Sequence, residues 1–103
     1  MRRLALLLLV IVMVAMATSL GLGKGEILIG NLQDMSSTTS VWGKAVTNGA
    51  ELAIEKLNKG GGLLGSKLRL ITYDTRNNVQ EAINAYNRLT GQDRVVAVIG
   101  PPV

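Results

Sequence analysis

The sequence predicts an α/β fold, a parallel sheet with flanking helices in the order βαβαβ. Three short apolar runs of strand length, residues 26–32 (EILIGNL), 67–73 (KLRLITY) and 94–99 (RVVAVI), provide the strands. Two segments between them place apolar residues at helical spacing, and Gly or Pro clusters punctuate the joins. Strands alternating with helices of this length imply right-handed crossovers and a parallel sheet.

The chain has 103 residues, so one domain is the most it holds. It has no Cys and no His, which removes disulfides, thiolate nucleophiles and the usual general base and metal ligand. A hydrophobic content of 48% is ample for a globular core and excludes a disordered chain.

Residues 1–17 read as an export signal. Arg2 and Arg3 form a positive start, and residues 4–17 (LALLLLVIVMVAMA) are an apolar run ending in Ala15-Met16-Ala17. A membrane span needs about 20 apolar residues, so this run suits a signal-peptide core, with cleavage before Thr18. The competing reading is an uncleaved anchor extended by Leu20, Gly21 and Leu22. No Cys follows the run, which argues against a lipoprotein. Residues 18–25 are a small, Gly-rich linker. Removing residues 1–17 takes Arg2 and Arg3 away and lowers the net charge from +4 to +2. That charge, spread along a chain with almost no aromatics, is no nucleic-acid footprint.

The first strand, residues 26–32, centres on Ile27-Leu28-Ile29 and leads into a loop rich in hydroxyls, residues 34–40 (DMSSTTS). Ser40 is the expected N-cap of the helix over residues 42–58, with Trp42, Val46, Gly49/Ala50, Ala53/Ile54 and Leu57 on its apolar stripe. Gly60-Gly61-Gly62 stops it. After the second strand, residues 74–77 form a loop, and Asn78 with Glu81 has the form of a capping box. The second helix carries Val79, Ala82/Ile83, Tyr86 and Leu89 on one stripe and ends near Gly91. The third strand lacks a polar face, and Gly100-Pro101-Pro102 breaks it. Two helices are too few to cover both faces of such a sheet, so the chain reads as the front portion of a larger fold.

In an open parallel sheet a ligand binds beyond the carboxyl ends of the strands. Residues 33–40, 74–77 and 100–103 lie there. Ser36 and Ser37, with Thr38, Thr39 and Ser40, offer hydroxyls and N–H groups before a helix N-terminus, a setting for an anionic group. The plainer alternative is a solvated loop with one capping hydroxyl. Trp42 either walls a ligand cleft or packs on the sheet. Asp74 either meets a ligand or caps a turn, and Tyr73 and Tyr86 read as core or rim. No phosphate-binding glycine pattern follows the first strand, and no Ser has a base to activate it. No catalytic residue, cofactor or metal is expected.

The stretch NGAELAIEKLNKGGGLLGSKLRLITYD (residues 48–74) and the closing VVAVIGP (residues 95–101) resemble the solute-binding proteins of branched-chain amino acid ABC transporters. The resemblance spans residues 26–103 and implies a type I periplasmic binding fold. In that family two α/β lobes joined by a hinge hold an amino acid or similar small solute and present it to a membrane permease. On this resemblance the chain is an N-terminal fragment, the first part of the first lobe of an amino acid uptake component. Ser36 matches the family's loop hydroxyl, Ser37 and Thr38 replace its Gly-Pro, Trp42 falls where an aromatic lines the cleft, and Gly43 matches a Gly. The family's main contacts to the solute carboxylate come just after the third strand. A ligand-sensing module of a signalling system, built on the same fold, is the alternative.

Overall fold

A computed structural model describes residues 2–19 and 25–101. Helix α1 spans Arg2–Ser19, two residues beyond the expected cut before Thr18. Most of the expected linker lies outside the described residues, as do Pro102 and Val103 of the third strand-end loop. The side chains of Leu4, Leu6, Leu7, Leu8, Leu9 and Ile11 are exposed. Among the described residues no helix is long and apolar enough to cross a membrane.

The remainder follows the expected order: β1 (Ile27–Gln33), α2 (Ser40–Lys59), β2 (Leu68–Asp74), α3 (Val79–Gly91) and β3 (Ala97–Ile99). The sheet is parallel with order β2-β1-β3, so β1 is central. Ile27 pairs with Leu68 and Gln33 with Asp74 on one side, and Ile29 to Asn31 pair with Ala97 to Ile99 on the other. Successive side chains of a strand point to opposite faces. Asn31 bonds Thr47 of α2, whereas a Cβ on neighbouring Gly30 would meet Leu89 of α3. The two helices therefore lie on opposite faces, one to each, as two right-handed crossovers running in opposite directions require.

The apolar core is small. Leu32 and Leu89 are buried on the α3 side; Leu68, in register with Ile27, is buried on the α2 side. The inward face of α2 follows the expected stripe only at Val46, Ala50 and Ile54. It runs through Gly43, Val46/Thr47, Ala50, Ile54 and Asn58, while Trp42 is 65% exposed and Leu57 is exposed too. Small and polar residues face the sheet because α2 approaches it closely. A Cβ on Gly43 would collide with the backbone carbonyl of Asp34. On α3 the expected stripe is also only partly inward: Leu89 is fully buried, but Val79, Ile83 and Tyr86 are exposed.

Helix ends explain the element boundaries. Thr39, not Ser40, is the N-cap of α2, and its side chain makes no capping bond. Asn78 caps α3 as expected, accepting from the Glu81 N–H at 3.0 Å. At the end of α2, Gly60 is the C-cap and Gly62 adopts φ +84°, with its N–H donating to the Leu57 carbonyl at 2.8 Å. A Cβ on Gly62 would also strike the Ser66 carbonyl, so glycine is required there twice over. Leu63 and Ser66 then exchange two backbone bonds around Leu64 and Gly65, both at positive φ. This is a tight turn between α2 and β2, as the sequence indicates. The Asn58 side chain bonds both the N–H and the carbonyl of Leu68 at 2.8 Å, tying α2 to the start of β2. The third strand is shorter than expected. Arg94 has φ +55° and the Val95 N–H bonds the Leu89 carbonyl, so these residues turn the chain out of α3 before β3 begins.

Candidate functional site

The carboxyl ends of β1, β2 and β3 meet the N-termini of α2 and α3. A cavity of about 140 Å³ lies there, lined by Asp34, Thr39, Gly43, Thr75, Asn77, Asn78, Val79, Ala82 and Pro101. Small-molecule sites start at about 300 Å³, so this cavity is smaller than a complete one. A groove of about 430 Å³ lies along β2 and the C-terminal half of α2. Its rim of exposed Glu51, Glu55, Lys59 and Lys67 points to solvent, and it lies away from the strand ends.

The loop after β1 is organised from within by Asp34, which is buried. Its Oδ1 accepts from the N–H groups of Ser36 (3.2 Å) and Ser37 (2.7 Å). Its Oδ2 accepts from the Thr39 N–H (2.8 Å) and the Thr39 hydroxyl (2.7 Å). Burial raises the Asp34 carboxyl, but the Thr39 hydroxyl and the N–H groups of Ser37, Thr39 and Ser36 outweigh it and hold the group below its ordinary value. The donors expected to cradle a ligand anion are thus already turned onto an anion of the chain itself.

Asp74 ties the first two strand-end loops together. Its Oδ1 accepts from the N–H groups of Met35 and Arg76, both at 2.9 Å, and its Oδ2 accepts from the Ser36 hydroxyl at 2.6 Å. Burial raises this carboxyl as well; the Ser36 hydroxyl and the two N–H groups prevail and lower it, against a small opposing effect of the Asp34 charge. Asp74 thereby takes the turn-capping role of its two readings. The Asn77 side chain adds a second link, donating to the Thr38 hydroxyl at 3.1 Å.

Beneath the loops runs a row of buried polar side chains on the α2 face. The Asn31 amide donates to Thr47 Oγ1 (2.8 Å) and Thr72 Oγ1 (3.2 Å). Thr47 Oγ1 donates in turn to the Gly43 carbonyl at 2.8 Å. Gln33 Nε2 donates to Asn31 Oδ1 (3.0 Å) and to the Gly100 carbonyl (2.9 Å). Asn31 and Gln33 are fully buried. This row and Asp34 were missed in reading the sequence. The signal was two amides two residues apart in an otherwise apolar strand, which puts both on one face.

The three expected ligand residues sit as follows. Ser36 is exposed and donates to Asp74; Ser37 is half-buried, with its N–H on Asp34. Trp42 projects from the first turn of α2 and packs on no sheet face. Tyr73 belongs to the structural framework: its hydroxyl donates to Asp93 at 2.7 Å and the Arg88 guanidinium lies 5.3 Å from its ring centre. Among the described residues no group of three acidic side chains is placed to hold a metal ion.

Comparison with known proteins adds the family dimension. A family model described as periplasmic binding protein matches residues 26–103. The Leu/Ile/Val-binding protein BraC3 of Rhizobium johnstonii is 33% identical over 76 residues, which is 74% of this chain and 20% of that protein. The chain thus spans about a fifth of the length of this relative. Among solved structures, the branched-chain amino acid transporter substrate-binding protein LivJ of Streptococcus pneumoniae, in complex with isoleucine, is 32% identical. The match covers 74% of this chain and 22% of LivJ, with a TM-score of 0.71. A fatty acid ABC transporter substrate-binding protein of Thermomonospora curvata is 26% identical, over 72% of this chain and 18% of that one, with a TM-score of 0.68.

Proposed function

Because this chain belongs to the periplasmic binding protein family, we propose that it contributes the first-lobe wall of an exported solute-binding component of an ABC transporter for amino acid uptake. The supporting observation is that the family match takes in β1 to β3 together with every loop at their carboxyl ends. The solute class is a branched-chain amino acid or a related small molecule, as the names of BraC3 and LivJ suggest for those proteins. The partner is a membrane permease. Residues 1–17 act as the export signal, cleaved before Thr18 without lipid modification, and the protein works in the periplasm or cell envelope.

The mechanism is recognition rather than catalysis. Trp42, exposed beside the strand ends, packs against the apolar part of the solute, and Ser36 and Ser37 line the mouth of the cleft. Because Asp34 occupies the N–H groups of its own loop, the solute carboxylate is held elsewhere, by the segment that follows β3. Closure of a second lobe over this wall then signals the permease.

The test is a titration of the protein purified from its source cells with L-leucine, L-isoleucine and L-valine, with its intact mass measured alongside. Trp42 is the single tryptophan of residues 1–103, and the same titration of a Trp42→Phe variant assigns any emission change to it. A saturable change with at least one of the three supports the reading. No heat and no emission change with any of them, in a protein whose mass includes a second lobe, overturns the amino acid assignment.

A further inference from the structure

We propose that Gln33 is a positioning residue: its side-chain amide fixes the Gly100 carbonyl and so sets the direction in which the backbone leaves β3 toward the solute cleft. The inference rests on the solute-binding reading for what that segment does, and on geometry alone for how it is held.

Backbone pairing between β1 and β3 covers only three residues and ends at the Asn31–Ile99 pair. Beyond it, Gly100 is held by a side chain. Gln33 Nε2 reaches its carbonyl at 2.9 Å and spends its second N–H on Asn31 Oδ1 at 3.0 Å. Two acceptors on one nitrogen leave the amide a single orientation, since a flip would set Oε1 against two oxygens. Asn31 cannot turn to follow, because its own amide is committed to Thr47 and Thr72. The amide of Gln33 is therefore locked from β2 and α2 and grips β3.

The acceptor side of the same group points to the same role. Gln33 Oε1 is buried with no hydrogen-bond partner among the described residues. A buried acceptor without a donor is unfavourable, so this side chain is not placed to satisfy itself. Among the described residues its bonding is in its two donors, and one of these holds the residue before Pro101, which lines the cavity at the strand ends.

The test uses amide hydrogen exchange of the 103-residue chain, comparing Gln33→Met and Gln33→Leu with Leu68→Ala. The last lowers overall stability without touching Gly100 and sets the baseline for a merely structural loss. At matched stability, the amides of residues 98–100 in the Gln33 variants are expected to exchange about fivefold faster than in Leu68→Ala, the effect of one ordinary hydrogen bond. Those of β2 are expected to match the baseline. A uniform increase across the sheet, or none at residues 98–100, overturns the proposal. Should neither variant fold, the unsubstituted chain decides it: a scalar coupling across the bond from Gln33 Nε2 to the Gly100 carbonyl carbon supports the role, and its absence refutes it. No solute enters these measurements, so failure of amino acid binding and failure of the Gln33 role are separately visible.

Discussion

The two faces of β1 are held by different physics. Toward α3, Gly30 lets Leu89 settle onto the strand and Leu32 completes an apolar contact that excludes water. Toward α2, at the carboxyl end of the same strand, Asn31 and Gln33 replace aliphatic side chains and bond Thr47, Thr72 and the Gly100 carbonyl. The apolar face is non-directional and gains stability in proportion to area. Bonds on the amide face have angles as well as distances, so they set where α2 and β3 end relative to β1. The face that stabilises and the face that positions are separate, and Gln33 of the second holds the start of the loop after β3.

Substitutions can break that contrast, beginning with the apolar side. Leu89→Ala removes a side chain with no exposed surface and is expected to lower stability by about 4 kcal/mol, read as a shift of the urea midpoint. Gly43→Ala drives a methyl group into the Asp34 carbonyl, where neither partner can yield, and is expected to cost about 3 kcal/mol in the same measurement. On the amide face, Thr47→Val keeps shape and deletes one acceptor of Asn31. About 1 to 2 kcal/mol is expected, with faster exchange of the Asn31 side-chain amide.

Acid probes the loops above that face. Asp34 and Asp74 both have carboxyls lowered in the folded chain, so an unfolded chain binds their protons first. Their contribution is complete above the ordinary carboxyl value of 3.8 and is lost as pH falls through the lower folded values. Thermal midpoints measured downward from about pH 5 should therefore fall, and Asp34→Asn should flatten part of that slope. The smallest effect on stability belongs to Trp42→Ala. This exposed side chain is expected to change stability by less than about 0.5 kcal/mol, yet to abolish any emission change on solute addition and to weaken solute binding measured by calorimetry.

The architecture was legible in the sequence because it depends on apolar periodicity and glycine punctuation. Strands expected at residues 26–32 and 67–73 formed one residue later, and both helices formed where the spacing placed them. Failures occurred where packing was not done by large apolar residues. The stripe read for α2 by helical spacing began at Trp42, with packing on the sheet one of two readings for it, whereas the sheet is met by Gly43 and Thr47. The N-cap was assigned to Ser40 on residue type, but the Asp34 carboxylate gathers the preceding N–H groups instead. Asp34 bonds N–H groups two, three and five residues ahead of it, a local habit of Asp in turns. Residues 94 and 95 read as strand because the run of valines favours it, although the chain is still turning out of α3 there; the Val96 N–H already bonds the Leu28 carbonyl of β1.

The strand order carries a consequence for time as well as space. β1 is made first among the strands but lies in the middle, and its second edge stays bare until β3, at the far end of the described chain, arrives to pair with Ile29 to Asn31. Pairing over that sequence distance is slow compared with helix formation or with closing the β1–α2–β2 unit. Through that interval the Gly100 carbonyl, β3 and the full seating of α3 are all missing, so the sheet cannot lock. A chain built this way reaches its closed form late.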